Sequence, residues 1–280
     1  MARYALVVGI GEYDYLPDLS KPRADAEVVR DVLQAGNQFE VTLLNEGVTR
    51  DRLRKAIETL LLKQGKNSDV LIYFTGHGFT AGEDEDEAQG YLATQDCRVE
   101  MDGDRVLSAR KGFSFQSLNG LIAKAELSSL VMLLDCCHGG SFIESAQARE
   151  KLSALNKTRY CLITACRSFE QAYAMTDAEH SIFSSAVLAA LRGEEARVTA
   201  LDVQRRVENE LKNTGQEPLY VGAGSDVTIL ERGAVAAPTV SEECPYQGLR
   251  AFTPETAAFF FGREDEVAEL CMKLRRSNFV

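Results

Sequence analysis

Three histidines and seven cysteines are the whole stock of imidazoles and thiols in this chain of 280 residues. One histidine sits in Thr75-Gly-His77-Gly, and sixty residues later a cysteine sits in Asp135-Cys-Cys137-His138-Gly-Gly. Both motifs follow short apolar runs, Val70-Leu-Ile-Tyr-Phe and Leu130-Val-Met-Leu-Leu, that read as buried strands. In open α/β sheets the reacting groups gather beyond the carboxyl ends of the strands. Glycines there permit tight turns that expose a side chain and bring backbone N–H groups up to a substrate carbonyl. A thiol with an ordinary pKa of about 8.5 is mostly protonated at neutral pH. An imidazole within reach takes that proton and later returns it to a leaving amine. The pattern points to acyl transfer, with Cys137 as nucleophile, His77 as base, and the N–H groups of Gly78 and Cys137 as oxyanion donors.

The remaining imidazoles and thiols read as structural. Cys136 ends an apolar strand and is expected to pack. His138 adjoins Cys137, so the two side chains diverge, and His180 reads as a loop residue ahead of a helix at Ser181. There is no C-x-x-C, Cys161 and Cys166 are five apart, and neither zinc nor a disulfide framework is indicated.

The elements that must carry these turns alternate between strand and helix. Tyr4 to Gly9 reads as the first strand. Lys21 to Leu33 reads as a helix, with apolar residues at Ala24, Val28, Val29 and Val32 and a stop at Gly36. Strand Glu40 to Leu44, a helix from Thr49 to Leu62 capped by Thr49, and strand Asp69 to Phe74 follow. Downstream come helix Phe115 to Ala125, strands Leu130 to Asp135 and Tyr160 to Thr164, helices Ser181 to Leu191 and Ala200 to Leu211, and a proline-led edge strand at Pro218-Leu-Tyr-Val. Strands joined by helical crossovers predict an α/β fold with a mostly parallel sheet.

Composition narrows the partners. With 31 Lys+Arg against 42 Asp+Glu the formal charge is −11, which repels a phosphate backbone, so nucleic acid is not expected as a partner. No run approaches the roughly 20 apolar residues of a membrane span, and Met-Ala-Arg-Tyr does not open a secretory signal. The expectation is a cytoplasmic protein with no membrane partner.

The motifs Tyr73-Phe-Thr-Gly-His77-Gly and Leu134-Asp-Cys-Cys137-His-Gly-Gly, the opening Ala5-Leu-Val-Val-Gly-Ile, and Leu19 through Arg23-Ala-Asp25-Ala together resemble the metacaspases and bacterial orthocaspases. The wording around Cys137 departs from the Q-A-C signature of caspases proper. The resemblance spans residues 1 to about 230 and implies a caspase-like fold and a cysteine peptidase. It selects Cys137 over Cys136, since the family sets its nucleophile directly before a histidine. It also implies that Asp25 and Asp135 line the pocket for the substrate side chain before the scissile bond. Two carboxylates in one pocket repel unless a cation neutralises them, and Arg or Lys would do so. The substrate partner is then a protein or peptide bearing Arg or Lys there.

The resemblance has further implications. Caspase-like enzymes are often processed between the nucleophile and the next strand, where Arg149, Lys151, Lys157 and Arg159 are candidates. No cofactor is required by the dyad. Calcium, needed by many metacaspases, has a candidate site in Glu83-Asp-Glu-Asp-Glu87, although the spacing is not that of an EF-hand. No inhibitory prodomain is expected before the first strand, and the isolated peptidase domain is expected to be monomeric.

Residues 233–243, small and aperiodic, read as a linker after a domain at 1–232. Residues 244–280 change character. Cys244-Pro-Tyr-Gln-Gly-Leu-Arg-Ala-Phe and Ala258-Phe-Phe-Phe-Gly-Arg-Glu-Asp-Glu are similar to the entrance of STAND-type signalling NTPases, with no phosphate loop following. That implies an effector coupled to a sensor NTPase, acting in stress response, programmed death or antiphage defence, with no ATP bound by these residues. A rival reading is a caspase-like interaction module, silent until a partner or its NTPase sensor activates it.

Overall fold

The computed structural model describes residues 2–82, 89–103, 105–136, 158–165, 179–212, 214, 216–232 and 253. Residues 1–233 make one compact unit and 234–280 a second. The first unit is built on a six-stranded sheet. Its strands are β1 (Arg3–Gly9), β2 (Glu40–Leu44), β3 (Asp69–Thr75), β9 (Ser129–Asp135), β10 (Arg159–Thr164) and β12 (Leu219–Ala223), in the order β12-β10-β9-β3-β1-β2. The first five are parallel, and only β12, the proline-led edge strand, runs antiparallel.

Alternate residues of each strand feed two cores. Leu6, Val8, Ile72, Phe74, Met132 and Leu134 face α2 (Arg50–Thr59) and α3 (Phe115–Ile122). Val7, Leu71, Tyr73, Val131, Leu133 and Ile163 face α1 (Pro22–Gln34), α4 (Ile182–Arg192) and α5 (Ala200–Leu211). Each fully buried Leu, Ile, Val or Phe contributes about 1.5–3 kcal/mol, so the central strands hold the fold. Among the described residues no helix is long and apolar enough to cross a membrane.

Differences from the sequence reading have local causes. Thr49 caps α2, accepting from Arg52 N–H, but the helix widens into a π turn at Leu60–Gln64. Helix α3 stops at Ile122, and the hydrogen bonds of Lys124 and Ala125 then close tighter turns. A small sheet of β4 (Gly78–Ala81), β5 (Gln89–Leu92) and β8 (Phe113–Ser114), and a hairpin of β6 (Arg98–Asp102) and β7 (Arg105–Arg110), lie between β3 and α3. A further pair joins β11 (Arg197–Thr199) to β13 (Thr228–Glu231). These strands are short, and several are charged, so no apolar run announces them.

The stripe expected on α1 is rotated. Ala24 is exposed and Val28 and Val32 are half-buried, whereas Asp25, Ala26, Val29 and Leu33 face inward. The reason lies in Gly9 at the end of β1. A Cβ there would collide with Pro22 O and lie 2.6 Å from Ala26 Cβ, so the first turn of α1 sits directly on the strand end. That close approach carries Asp25 into the interior.

Candidate active site

The β3–β9 register pairs Thr75 with Asp135, so both strands end at one level of the sheet. Gly76 N–H donates to Asp135 O at 3.2 Å, tying the exit of β3 to the end of β9. His77 is two residues past the end of β3, and in the sequence Cys137 is two residues past the end of β9. Cys137 itself lies outside the described residues, as do His138, the acidic run Glu83–Glu87 proposed for calcium, and Arg149, Lys151 and Lys157. Gly78 is buried at the start of β4 and pairs with Leu92.

His77 is held on several sides. Its Nε2 lies 2.9 Å from Pro17 O, and a carbonyl only accepts, so Nε2 carries a proton. In the neutral ring the lone pair is then on Nδ1. Burial holds the imidazole below its ordinary pKa while the Pro17 bond opposes that shift, favouring a neutral ring at pH 7. The backbone N–H of His77 donates to Tyr13 Oη at 2.8 Å, and the two rings lie 4.8 Å apart. At Gly76, φ is +156° and a Cβ would meet Tyr13 Oη at 2.8 Å, so only glycine leaves room for this hydroxyl. The loop bearing Tyr13 and Pro17 is braced in turn: Asp14 N–H donates to Gln95 O, Tyr13 N–H to Asp18 Oδ1, and Arg98 stacks on Tyr15 at 3.7 Å.

Tyr13 is therefore a positioning residue for His77, unflagged by any motif. Tyr13→Phe leaves a half-buried N–H without its acceptor. Any peptide turnover should fall about tenfold in kcat with KM little changed. Steady-state kinetics with a peptide substrate would check it, and an unchanged kcat would remove Tyr13 from the site.

Asp25 and Asp135 converge on the other side. Asp135 Oδ2 accepts from Thr75 Oγ1 at 3.2 Å, Ser181 Oγ at 2.5 Å and Ser184 Oγ at 2.8 Å, and none of these bonds uses Oδ1. Ser184 Oγ is also 2.6 Å from Tyr73 Oη. Asp25 Oδ1 lies 2.6 Å from His180 Nδ1, and Oδ2 accepts from Ser181 N–H at 3.2 Å. Burial pushes Asp135 up to about 6, against the bonds from Ser181 and Ser184, and the charge of Asp25 pushes the same way. Burial also raises Asp25, and the Tyr73 hydroxyl is raised well above its ordinary value. An ionised Asp25 raises the cost of ionising Asp135, because like charges repel in one buried site.

His180 lies in a bend just ahead of α4, as a loop residue should, but its contacts are not readable from the sequence. Its ring rests on Asp25, with Ser181 and Ser184 around Asp135. Cys136 is buried in the core, as its strand position implied. Burial pushes the Cys161 thiol up to about 12 and Cys97 to about 11, which makes both poor nucleophiles. Among the described residues no three His, Cys, Asp or Glu side chains gather as metal ligands. Two cavities of about 520 and 440 Å³ lie elsewhere, the first beside Val32 and Arg232, the second beside Val198 and Arg206; neither is lined by His77, Asp25 or Asp135.

The caspase domain model matches residues 2–229. This chain belongs to the caspase-domain family. The caspase domain is followed by a fragment, residues 245–280, that matches the model of Novel STAND NTPase 1. Among solved structures, a Geobacter sulfurreducens protein superposes with a TM-score of 0.60 at 17% identity, over 80% of this chain and 94% of that one. Caspase-1 from Spodoptera frugiperda gives 0.59 at 13% identity, over 83% and 91%. At those identities the likeness speaks for the caspase fold alone. No curated protein matches the chain.

Proposed function

We propose that this caspase domain is a cysteine endopeptidase of metacaspase type that cuts after Arg or Lys. It would act as the effector of a STAND NTPase in stress response, cell death or antiphage defence. The observation that carries this reading is the convergence of Asp25 and Asp135 at the ends of the strands that lead to His77 and Cys137. The neutral Nδ1 of His77, with Nε2–H on Pro17 O, suits a general base.

In this mechanism the Cys137 thiol gives its proton to His77 Nδ1, and the sulfur adds to the scissile carbonyl. The oxyanion is held by the N–H groups of Gly78 and Cys137, each such donor being worth about 100- to 1000-fold in rate. The imidazolium keeps its Nε2–H bond to Pro17 and returns the Nδ1 proton to the departing amine, leaving a thioester. Water then adds to the thioester as Nδ1 takes its proton. Collapse releases the carboxylic acid and restores the thiol. The acids of the pocket hold the Arg or Lys side chain while this occurs.

Self-processing would fall at Arg149, Lys151 or Lys157. Arg159 is less suited: it opens β10, pairs with Ser129 in the ladder and lies 3.6 Å from Asp69. The dyad needs no cofactor, and the run Glu83–Glu87 is kept as a calcium candidate. Matched peptides with Arg, Lys, norleucine or Asp before the scissile bond, each with calcium and with chelator, test the reading. Arg and Lys should be cleaved at least ~100-fold faster than the other two, the scale set by an unpaired buried charge. Equal rates across the four would remove Asp25 and Asp135 from the specificity pocket. Absent cleavage under every condition would favour the interaction module.

A further inference from the structure

The His180–Ser181 step touches both acids at once. Its ring Nδ1 meets Asp25 Oδ1 at 2.6 Å, the next backbone N–H meets Asp25 Oδ2 at 3.2 Å, and the Ser181 hydroxyl meets Asp135 Oδ2 at 2.5 Å. With Asp25 ionised its oxygens only accept, and His180 Nδ1 is then the donor. Lys21, ahead of α1, also holds the same step, with Nζ 3.4 Å from His180 O. Ser181 is also the N-cap of α4, accepting from Ser184 N–H, so the positive end of an eleven-residue helix faces the acids. Asp25 is fully buried and the His180 side chain nearly so.

We propose that His180 is a specificity-positioning residue: through Nδ1–H it holds the Asp25 carboxylate ionised and aimed beside Asp135, so that the pair can receive the cationic side chain of the substrate. This role rests on the basic-pocket reading above. Burial alone drives an acid to take up a proton, and a neutral Asp25 would offer a guanidinium little. The two fixed donors on Asp25, one per oxygen, oppose that and set the plane of the carboxylate. The Ser181 hydroxyl does the same for Asp135, so one dipeptide orients both. His180 acts through Asp25 and takes no part in proton transfer at the scissile bond.

The test uses the full chain carrying Cys137→Ala, so that turnover does not intervene, with Nα-acetyl-arginine methylamide and its norleucine analogue as probes, followed by NMR titration. His180→Ala should weaken the arginine probe about tenfold or more and leave the norleucine probe unchanged. His180→Asn, whose amide N–H can stand in for Nδ1–H, should recover arginine binding to within about threefold of the parent. A merely structural histidine would not be rescued selectively for one probe. If Asp25→Asn weakens the arginine probe while His180→Ala does not, the positioning role is overturned and the pocket stands. Asn as poor as Ala would also overturn it. If the parent binds arginine no better than norleucine, the basic pocket itself is wrong, and the role falls with it.

Discussion

Replacing Cys137 by alanine is expected to lower peptide cleavage by at least about 10⁴-fold, whereas Cys136→Ala should keep the wild-type rate constant. Loss of a nucleophile removes the covalent route entirely, leaving only binding and oxyanion stabilisation. The neighbouring thiol cannot substitute, because Cys136 is buried in the core against the sheet. Truncating it leaves a small cavity, so its cost should appear as a loss of about 1 kcal/mol in stability rather than in rate. Single-turnover hydrolysis alongside thermal unfolding of both variants separates the two. Full activity in Cys137→Ala would remove the nucleophile assignment.

Asp135→Asn is expected to separate function from stability. Asp135 is pushed up to about 6 from an ordinary 3.8, chiefly by burial and also by Asp25. The native state therefore holds this proton more tightly than the unfolded chain, and ionisation costs stability. That cost is complete above pH 6, shrinks as pH falls from 6 toward 4, and is gone below it. Asparagine carries no charge, and its Oδ1 can still accept from Thr75, Ser181 and Ser184. At pH 7 the variant should be more stable by on the order of 2 kcal/mol, with the gain disappearing by about pH 4. Its Arg and Lys cleavage should fall about 100-fold or more, mostly in KM, since a uniform binding interaction is lost. In the wild type, cleavage of an Arg peptide should decline below about pH 6 as Asp135 takes up a proton. Urea unfolding at pH 7 and pH 4, with kcat/KM across the same range, would check both halves. A destabilised variant at pH 7, or one that cleaves Arg peptides normally, would contradict the account.

The two strands that lead to the site are legible in the sequence. Strands β3 and β9 are unbroken apolar runs ended by glycine turns, a signal that survives because both faces of a parallel sheet are buried. Asp25 and Asp135 came from the family resemblance, and periodicity alone misled on the first: an acid on the inward stripe of α1 breaks the apolar pattern that a helix reading seeks. Its burial depends on Gly9 admitting the helix onto the strand end. His180, Ser181 and Tyr13 were hidden for another reason. His180 and Asp25 lie 155 residues apart, and Tyr13 and His77 lie 64 apart, so these contacts exist only once the sheet order is formed. The strands between Gly78 and Ser114 were missed because they are short and several are charged.

A reactive thiolate at Cys137 beside a pocket for a basic side chain makes one directly measurable combination. Covalent labelling tests both parts at once, with peptidyl acyloxymethyl ketones that differ only in carrying Arg or Asp next to the ketone, and the adduct located by mass spectrometry. A single thioether at Cys137 is expected, formed at least ~100-fold faster with the Arg reagent. Equal labelling by both reagents, or an adduct on a different cysteine with Cys137 unmodified, would contradict it.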